Sequence, residues 1–369
     1  MLEKKFISLL KQAGITVNGR EPWDMQVRSS KVYWSLVFGN FMLGETYLDG
    51  AWEAKKLDEF FYRLLAAGLD KRKYLANILT FIKFMLLNAQ KITRAKQVGQ
   101  RHYDLGNDLF QAMLDPETMS YSCGYWKKGD SLDLAQLRKI DLICRKLQLQ
   151  AGESILDIGC GWGGFAKYAA SKYGAKITGL TVSREQAKFA RELCRGERVE
   201  ILLEDYRELK GKFDKIVSVG MFEHVGPKNY RTFMEIVDSC LVDDGIFLLH
   251  TIGGLNNKLN TDPWIERYIF PNGVIPSEKQ IMDAADNIFI ARDTHEFGKY
   301  YDKTLMAWWQ NFHHNWPELK KNSRYDQRFY RMWKYYLLSC AGAFRAGKLK
   351  LWQMVFTKRE AELNYSKVR

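Results

Sequence analysis

The feature that most constrains this chain is a cluster of glycines between a short apolar run and a helix-forming run. Residues 154–158 predict a buried strand, and the alanine-rich residues from Phe165 onward predict a helix. Glycines at such a crossover let the backbone turn sharply and approach a ligand without a Cβ in the way. The cluster comprises Gly159, Gly161, Gly163 and Gly164, with Asp157 two residues ahead of it. A tight turn alone would require one or two of these glycines, so the cluster predicts a nucleoside-binding turn.

The spacing of these glycines also fits the dinucleotide fingerprint G-x-G-x-x-G, which needs an acidic residue at the end of the second strand to hold the ribose. The second predicted strand, residues 176–180, is followed by Thr181, with no Asp or Glu at the expected place. Asp157 ahead of the glycines is instead typical of S-adenosylmethionine-dependent methyltransferases. We therefore expect this methyl donor, and not a dinucleotide, at the turn.

Strand-like and helix-like runs alternate beyond the turn, which predicts a parallel sheet with helices on both faces and a site at the carboxyl ends of the strands. The expected fold is a class I S-adenosylmethionine-dependent methyltransferase, a Rossmann-like α/β sheet, with a smaller and mostly helical amino-terminal domain. A helix over residues 132–147 is predicted from an apolar stripe of Leu134, Leu137, Ile140, Ile143 and Leu147. The predicted strands are 154–158, 176–180, 199–203, 215–219, 245–251 and 349–357, and further helices are 277–285, 303–312 and 327–344.

Composition divides the chain into three predicted regions. Residues 1–90 are amphipathic and mostly helical, and we expect them to form an accessory domain that engages lipid. Residues 91–131 form a polar and aromatic connector that contributes to the active site. Residues 132–369 form the catalytic domain that binds the methyl donor.

The overall composition is that of a folded protein, with 46% hydrophobic residues and only 7 prolines in 369 residues. The 6 cysteines form no C-x-x-C pair and follow no secretory signal, so we expect a reducing, cytoplasmic location. His313 and His314 lack the helical i, i+4 spacing and the carboxylate partner of a metal pair. We therefore assign no metal site.

The net charge of +13 indicates an anionic partner. Residues 71–102 contain eight Lys or Arg and no Asp or Glu, around the apolar run 78–87. That run is about half as long as a spanning helix needs, so it does not predict a membrane-spanning helix. It fits equally well a segment that lies on an anionic membrane surface and a core helix with a solvated basic edge. A nucleic-acid partner is not expected, because no helix-turn-helix or RNA-recognition signature is present.

Several separated segments together carry a family resemblance. In addition to the glycine turn, residues 121–126 read YSCGYW, residues 220–230 read GMFEHVGPKNY and residues 351–353 read LWQ. With these segments in order, the chain resembles the bacterial cyclopropane-fatty-acyl-phospholipid synthases over essentially its whole length. The mycolic acid cyclopropane synthases are similar to it more distantly, since they lack most of the amino-terminal region.

The resemblance implies an S-adenosylmethionine-dependent C-methyltransferase that acts on a cis double bond in an acyl chain of a membrane phospholipid. Attack by the alkene on the sulfonium methyl leaves a carbocation, and loss of a proton from the new methyl closes a cyclopropane ring. The implied base is a bound bicarbonate ion, with Glu223 accepting its proton and the other ligands donating to it. Taken alone, Glu223 could be an ordinary acid in a first helical turn and His250 a satisfied core histidine. The implied bicarbonate ligands are Cys123, Glu223, His250, Ile252 and Tyr301.

The contacts with the methyl donor are expected from four places. Asp157, Gly159, Gly161 and Gly163 line the turn, and Tyr121 and Ser122 reach it from the connector. As in the family, Thr181 and Gln186 replace the missing ribose carboxylate with neutral hydrogen bonds. Asp205 is expected at the exocyclic amine of adenine and Tyr206 on the adenine ring.

The resemblance further implies a homodimer, attached peripherally to the inner face of the cell membrane, on an anionic phospholipid surface that carries unsaturated acyl chains. Two alternatives stay open, since a fold does not fix a substrate. The first is a methyltransferase that acts on another lipid, an amine or an RNA. The second is a basic, non-catalytic membrane-binding or nucleic-acid-binding module.

Overall fold

A computed structural model describes residues 2–71, 106–257, 261–362 and 364–369. Most of the basic segment predicted at 71–102, including its apolar run, therefore lies outside the described residues, as does the predicted boundary at residue 90. The chain divides into two compact units, and residues 301–349 pack with the amino-terminal helices, so the predicted region 132–369 is shared between them. The first unit comprises Met1–Asn88, Leu259–Pro271 and Tyr301–Leu349, and the second comprises Ala89–Lys258, Asn272–Tyr300 and Lys350–Arg369.

The second unit is built on a seven-stranded sheet. Its strands are β3 (Ser154–Ile158), β4 (Lys176–Thr181), β5 (Val199–Leu203), β6 (Phe213–Val219), β7 (Leu241–Gly254), β8 (Phe289–Glu296) and β9 (Leu349–Lys358). They lie in the order β5-β4-β3-β6-β7-β9-β8. Neighbouring strands from β5 to β7 in this order run parallel, whereas β8 and β9 pair antiparallel. The predicted α/β sheet is confirmed as a mostly parallel sheet, with the antiparallel pair of β8 and β9 at one side.

Helices cover both faces of this sheet because its buried side chains alternate between them. Ile155 packs in a cluster with the helix-borne residues Ile143 and Ala169, whereas its neighbour Leu156 packs in the opposite cluster with Phe233. The predicted helices on both faces are thus confirmed. The helices of this unit are α4 (Asn107–Met113), α5 (Leu132–Lys146), α6 (Gly164–Tyr173), α7 (Arg184–Leu193), α8 (Tyr230–Cys240) and α10 (Glu278–Ala285).

The first unit is mostly helical, as predicted for the described part of the amino-terminal region. Its core is aromatic, with Trp52 and Phe60 fully buried. Arg331 stabilises it by donating to Glu53 at 2.7 Å and to the Tyr47 carbonyl oxygen at 2.7 Å. Its elements are α1 (Leu2–Gln12), β1 (Gln26–Val27), α2 (Ser35–Leu48), β2 (Trp52–Glu53), α3 (Leu57–Ala66), α9 (Pro263–Tyr268), most of α11 (Lys299–Leu319) and α12 (Gln327–Arg345).

No helix within the described ranges combines the length and the apolar character that crossing a membrane requires.

Candidate active site

The strand order places a crevice at the carboxyl ends of β3 and β6. The chain moves from β3 outward to β5, then returns to the other side of β3 with β6, and ligands bind at such a reversal. The two strand ends are joined here, since the Ser218 hydroxyl donates to the Ile158 carbonyl oxygen at 3.1 Å. The glycine turn follows β3, and the 3-10 turn Phe222–His224 follows β6. The predicted cofactor turn and Glu223 therefore meet at this crevice.

The glycines of the turn serve different purposes. Gly159 and Gly163 both have φ +89°, and a Cβ at Gly159 would lie 2.8 Å from Met221 Cβ. A Cβ at Gly164 would lie 1.8 Å from the Thr118 carbonyl oxygen. Only at Gly161, with φ +55°, would a Cβ meet no described atom within 4 Å. Protein packing and backbone conformation thus require more of these glycines than we expected, and Gly161 is the one that faces open space.

The predicted connector crosses this crevice. Its Thr118 backbone lies against Gly164, and a Cβ at Gly220, just after β6, would lie 4.0 Å from Ser122 Cβ. Cys123, fully buried, directly follows Ser122. The Tyr121 ring packs edge-on against Phe110, with 5.3 Å between the ring centroids. The predicted residues Tyr121, Ser122 and Cys123 are therefore brought to the glycine turn and to the end of β6.

Two buried ionisable groups stand behind the turn. Asp157, at 2% exposed, is the penultimate residue of β3, and burial raises the pKa of its carboxyl group to about 7, while the charge of Lys139 opposes that rise. Burial in turn lowers the pKa of the Lys139 ammonium to about 8. We did not anticipate Lys139, because a lysine on a helix is ordinarily solvated.

Thr181 and Gln186 are brought together at the end of β4. The Thr181 hydroxyl donates to Gln186 Oε1 at 2.9 Å and accepts the Ser183 backbone N–H at 3.2 Å. Ser183 also caps helix α7 by accepting the Gln186 backbone N–H. The two side chains share one buried polar cluster, and their contact with the ribose stays a prediction.

Asp205 and Tyr206 already have protein partners. Both carboxylate oxygens of Asp205 accept from the Arg207 guanidinium, at 2.8 and 3.0 Å. The Tyr206 ring packs edge-on against Phe233, with 5.3 Å between the ring centroids, and belongs to the core under the sheet. Their predicted contacts with adenine stay predictions, and the Arg207 pair is a feature that the sequence analysis missed.

Glu223 is buried with one oxygen engaged and one oxygen unpaired. Its Oε1 accepts the Ile252 backbone N–H at 2.6 Å, whereas Oε2 has no hydrogen-bond partner within the described part of the chain. Burial raises the pKa of this carboxyl group from 4.5 to about 7, while the Ile252 N–H and the neighbouring Thr251 side chain oppose that rise. The Ile252 N–H, which we expected to donate to bicarbonate, thus donates to Glu223 in this structure.

His250 lies on β7, at 1% exposed and two residues before Ile252, so both side chains project from the same face of the strand. Its Nδ1 lies 3.2 Å from the Gln353 side-chain nitrogen, and its Nε2 has no partner among the described residues. Burial, followed by the charges of Lys139 and Lys146, holds the pKa of His250 well below its usual value. The ring is therefore neutral, and the tautomer in which Nδ1 accepts from the Gln353 amide carries its proton on Nε2.

Tyr301, the remaining predicted ligand, belongs to the first compact unit. There its ring centroid lies 4.5 Å from that of Phe344 and 6.0 Å from that of Trp308. Its place in the anion site stays a prediction.

Besides Lys139, two residues at the site escaped the sequence analysis. Gln353 is fully buried on β9, and Phe297 packs edge-on against His250 with 5.8 Å between the ring centroids. A polar residue inside the apolar run of β9 was the available signal for Gln353. No group of three or more His, Cys, Asp or Glu side chains in the described ranges could hold a metal ion.

Comparisons with known proteins agree with this arrangement. A family model described as mycolic acid cyclopropane synthetase matches residues 90–354. The chain is 52% identical over 353 residues to the cyclopropane-fatty-acyl-phospholipid synthase of Escherichia coli strain K12, which covers 95% of this chain and 92% of that protein. It is 35% identical over 280 residues to cyclopropane mycolic acid synthase 1 of Mycobacterium tuberculosis, which covers 70% of this chain and 96% of that protein.

The fold is similar to that of a solved relative. The crystal structure of mycolic acid cyclopropane synthase CmaA1 complexed with SAH and CTAB matches with a TM-score of 0.67 and 34% identity, over 71% of this chain and 98% of that chain. These matches confirm the resemblance drawn from the separated sequence segments. The chain belongs to the cyclopropane synthase family of S-adenosylmethionine-dependent methyltransferases.

Proposed function

We propose that this chain transfers the methyl carbon of S-adenosylmethionine to the cis double bond of unsaturated acyl chains in membrane phospholipids and closes a cyclopropane ring. The observation that carries the proposal is a pair of buried, unpaired polar atoms, Glu223 Oε2 just after β6 and His250 Nε2 on the adjacent strand β7, where His250 pairs with the last residue of β6, Val219. The name of the Escherichia coli relative, a cyclopropane-fatty-acyl-phospholipid synthase, supports the substrate class.

Ring closure needs a base, because the alkene's attack on the methyl group leaves a carbocation that must lose a proton. The two unpaired atoms fit a bicarbonate ion, since a carboxylate oxygen accepts its hydroxyl proton and an imidazole N–H donates to its oxygens. When bound there, bicarbonate would supply the base for the new methyl carbon. A buried polar atom without a partner is costly in a folded protein, so two of them at one strand edge favour a polar ligand.

Glu223 and His250 have complementary duties in this proposal. The Ile252 N–H holds the Glu223 carboxylate through Oε1, and this bond also fixes the direction in which Oε2 points. Gln353 fixes the His250 ring through Nδ1, so that Nε2 donates. With its proton on Nε2, neutral His250 cannot accept the methyl proton through that atom, and it orients an anion instead. The carbocation is short-lived in water, and the burial of both residues keeps water from it.

The methyl donor is proposed to lie over the glycine turn. Gly161 offers the open space, Asp157 is the penultimate residue of the preceding strand, and Ser122 of the connector borders Gly220 after β6. Thr181 and Gln186 supply neutral hydrogen bonds on the ribose side. This placement sets the sulfonium methyl between the turn and the end of β6, where Glu223 follows.

The proposed partner is an anionic phospholipid surface on the inner face of the cell membrane, engaged peripherally by a homodimer. The net charge of +13 and the run of eight basic residues at 71–102 without an acid support it. Sedimentation with vesicles tests the surface: we expect binding to vesicles that contain phosphatidylglycerol and not to pure phosphatidylcholine. Analytical ultracentrifugation tests the dimer.

The direct test is an incubation of the purified full-length protein with S-adenosylmethionine and vesicles of cis-unsaturated phosphatidylglycerol. Lipid mass spectrometry should show the gain of one CH2 per modified double bond, together with S-adenosylhomocysteine. Saturated lipid of the same headgroup should gain nothing. Unchanged unsaturated lipid, or a product that carries a plain methyl branch, would contradict the proposal.

A further inference from the structure

Helix α5 buries a lysine whose position nothing in its sequence pattern predicts. Lys139 is 3% exposed, and its ammonium donates to the hydroxyls of Ser120 and Ser122, both at 3.1 Å. One turn earlier on the same helix, the fully buried Gln136 donates its side-chain amide to the Ser122 carbonyl oxygen at 2.8 Å. One face of α5 therefore holds the connector segment at two points.

This tie, the set of hydrogen bonds between α5 and residues 120–122, continues through hydroxyl groups to the buried carboxylate of Asp115. Ser120 Oγ lies 2.7 Å from Thr118 Oγ1, which donates to Asp115 Oδ2 at 2.6 Å. Asp115 also accepts the backbone N–H groups of Thr118 and Ser120, at 2.7 and 3.0 Å. A buried ammonium at one end and a buried carboxylate at the other thus order residues 115–122 without a direct ion pair.

This ordered segment is the wall of the methyl-donor crevice. Its Thr118 backbone touches Gly164 in the glycine turn, and Ser122 borders Gly220 after β6. The ionisable groups that interact electrostatically with the Lys139 ammonium are Asp115, Cys123, Asp157 and His250. Three of these four are predicted site residues.

Burial of an ammonium costs several kcal/mol, and an apolar side chain of the same length would avoid that cost. Lys139 is therefore poorly explained as a contribution to stability alone. We propose that Lys139 is a positioning residue for the methyl donor: its ammonium fixes residues 118–123 against the glycine turn, and the donor binds weakly without it. The inference rests on the proposed placement of the donor over that turn.

Calorimetric binding of S-adenosylhomocysteine to the full-length protein tests this proposal. Lys139→Met removes the ammonium and keeps the length of the side chain. We expect the Kd to rise about tenfold or more, as for the loss of a charge-assisted hydrogen bond. The KM for S-adenosylmethionine should rise with it, whereas a merely smaller folded fraction would lower kcat and leave KM unchanged. The matched control is Lys215→Met, a buried lysine near the start of β6 that pairs with Glu153 at 3.4 Å, and its Kd should be unchanged.

A double-mutant cycle with Ser120→Ala shows whether Lys139 and Ser120 affect donor binding through the same tie or independently of each other. Ser120 has no predicted contact with the donor, so its variant acts through the tie alone. Ser120→Ala should weaken binding by itself, and the double variant should bind no more weakly than Lys139→Met. Binding within about twofold of wild type for Lys139→Met, or effects that add, would overturn the proposal.

If Lys139→Met gives no folded protein, Ser120→Ala decides alone, since it keeps the ammonium and removes one acceptor. An unchanged Kd for this variant would overturn the proposal. The measurement needs no lipid, so its outcome is separate from that of the proposed function. A wild-type protein that binds S-adenosylhomocysteine but makes no cyclopropane lipid would refute the function and leave the role of Lys139 standing.

Discussion

Replacement of Glu223 by glutamine should abolish turnover and stabilise the protein at the same time. The structure gives the reason, because burial raises the pKa of the Glu223 carboxyl group from 4.5 to about 7. Between these two pH values the folded state binds a proton that the unfolded chain has lost, so the free energy of unfolding falls as the pH rises. Above pH 7 the buried carboxylate costs about 3 kcal/mol, from a pKa difference of roughly 2.5 units at 1.36 kcal/mol each.

Glutamine is neutral at every pH and keeps a side-chain oxygen that can accept the Ile252 N–H. At pH 8 we expect Glu223→Gln to raise the melting temperature by about 2 °C or more, and the difference from wild type should shrink as the pH is lowered to 5. Turnover should fall about 100-fold or more, the range typical of groups that handle a proton. The Kd for S-adenosylhomocysteine should stay near the wild-type value.

The assays are thermal unfolding at pH 5 and pH 8 and lipid mass spectrometry on the same preparations. Glu235→Gln is the matched control, since Glu235 lies on the surface of α8 and pairs with Arg231 at 2.9 Å. That variant should keep full turnover and show no pH-dependent gain. A Glu223→Gln protein that keeps wild-type turnover, or that is less stable than wild type at pH 8, would refute the reasoning.

Three further predictions follow from the same structure. His250→Gln should reduce turnover in the lipid assay and leave the calorimetric Kd for S-adenosylhomocysteine nearly unchanged. His314→Gln, at an exposed position, is the control and should change neither value. A large rise in the Kd of His250→Gln would contradict the prediction and place His250 at the nucleotide. Gly164→Ala should unfold at lower temperature than Gly161→Ala, because its Cβ would lie 1.8 Å from the Thr118 oxygen whereas that of Gly161 meets open space; equal melting temperatures would contradict this. Binding to anionic vesicles should weaken steeply between 50 mM and 500 mM salt in sedimentation assays, since exposed charges are screened; salt-independent binding would argue for apolar contact alone.

The sequence predicted the centre of the sheet well, because buried parallel strands are aliphatic runs. The predicted strand at 154–158 matches the central strand β3 to the residue, and the predicted strand at 199–203 matches β5, an edge strand that is also mostly aliphatic. β8 was missed, since it is the last strand in the sheet order and carries charged residues such as Arg292 and Asp293. An edge strand has one partner only and does not need an apolar run.

The helix over 132–147 shows why part of the site escaped prediction. The apolar stripe located α5 correctly, yet its first member, Leu134, is 47% exposed. The buried face includes Gln136, Lys139 and Lys146 instead. Periodicity finds the apolar side of a helix, and it gives no signal for polar side chains that are buried because hydroxyl and carboxyl groups from distant segments meet them.

The site residues divide in the same way. Because parallel strands end at a common edge, chain position predicts that Glu223 and His250 lie near each other, and in the structure His250 pairs with Val219 at the end of β6. Chain position gives no sign that Arg207 holds the Asp205 carboxylate or that Glu223 takes the Ile252 N–H. Such local pairings depend on the folded backbone and not on residue type.

The most direct test of the central claim uses S-adenosylmethionine with a fully deuterated methyl group and vesicles of cis-unsaturated phosphatidylglycerol. We predict that the modified acyl chain gains CD2 and that the third deuterium is lost to solvent, since the base removes it during ring closure. Retention of CD3 in the product would show plain methylation without ring closure, and would contradict the proposed role of Glu223 and His250 in holding the base.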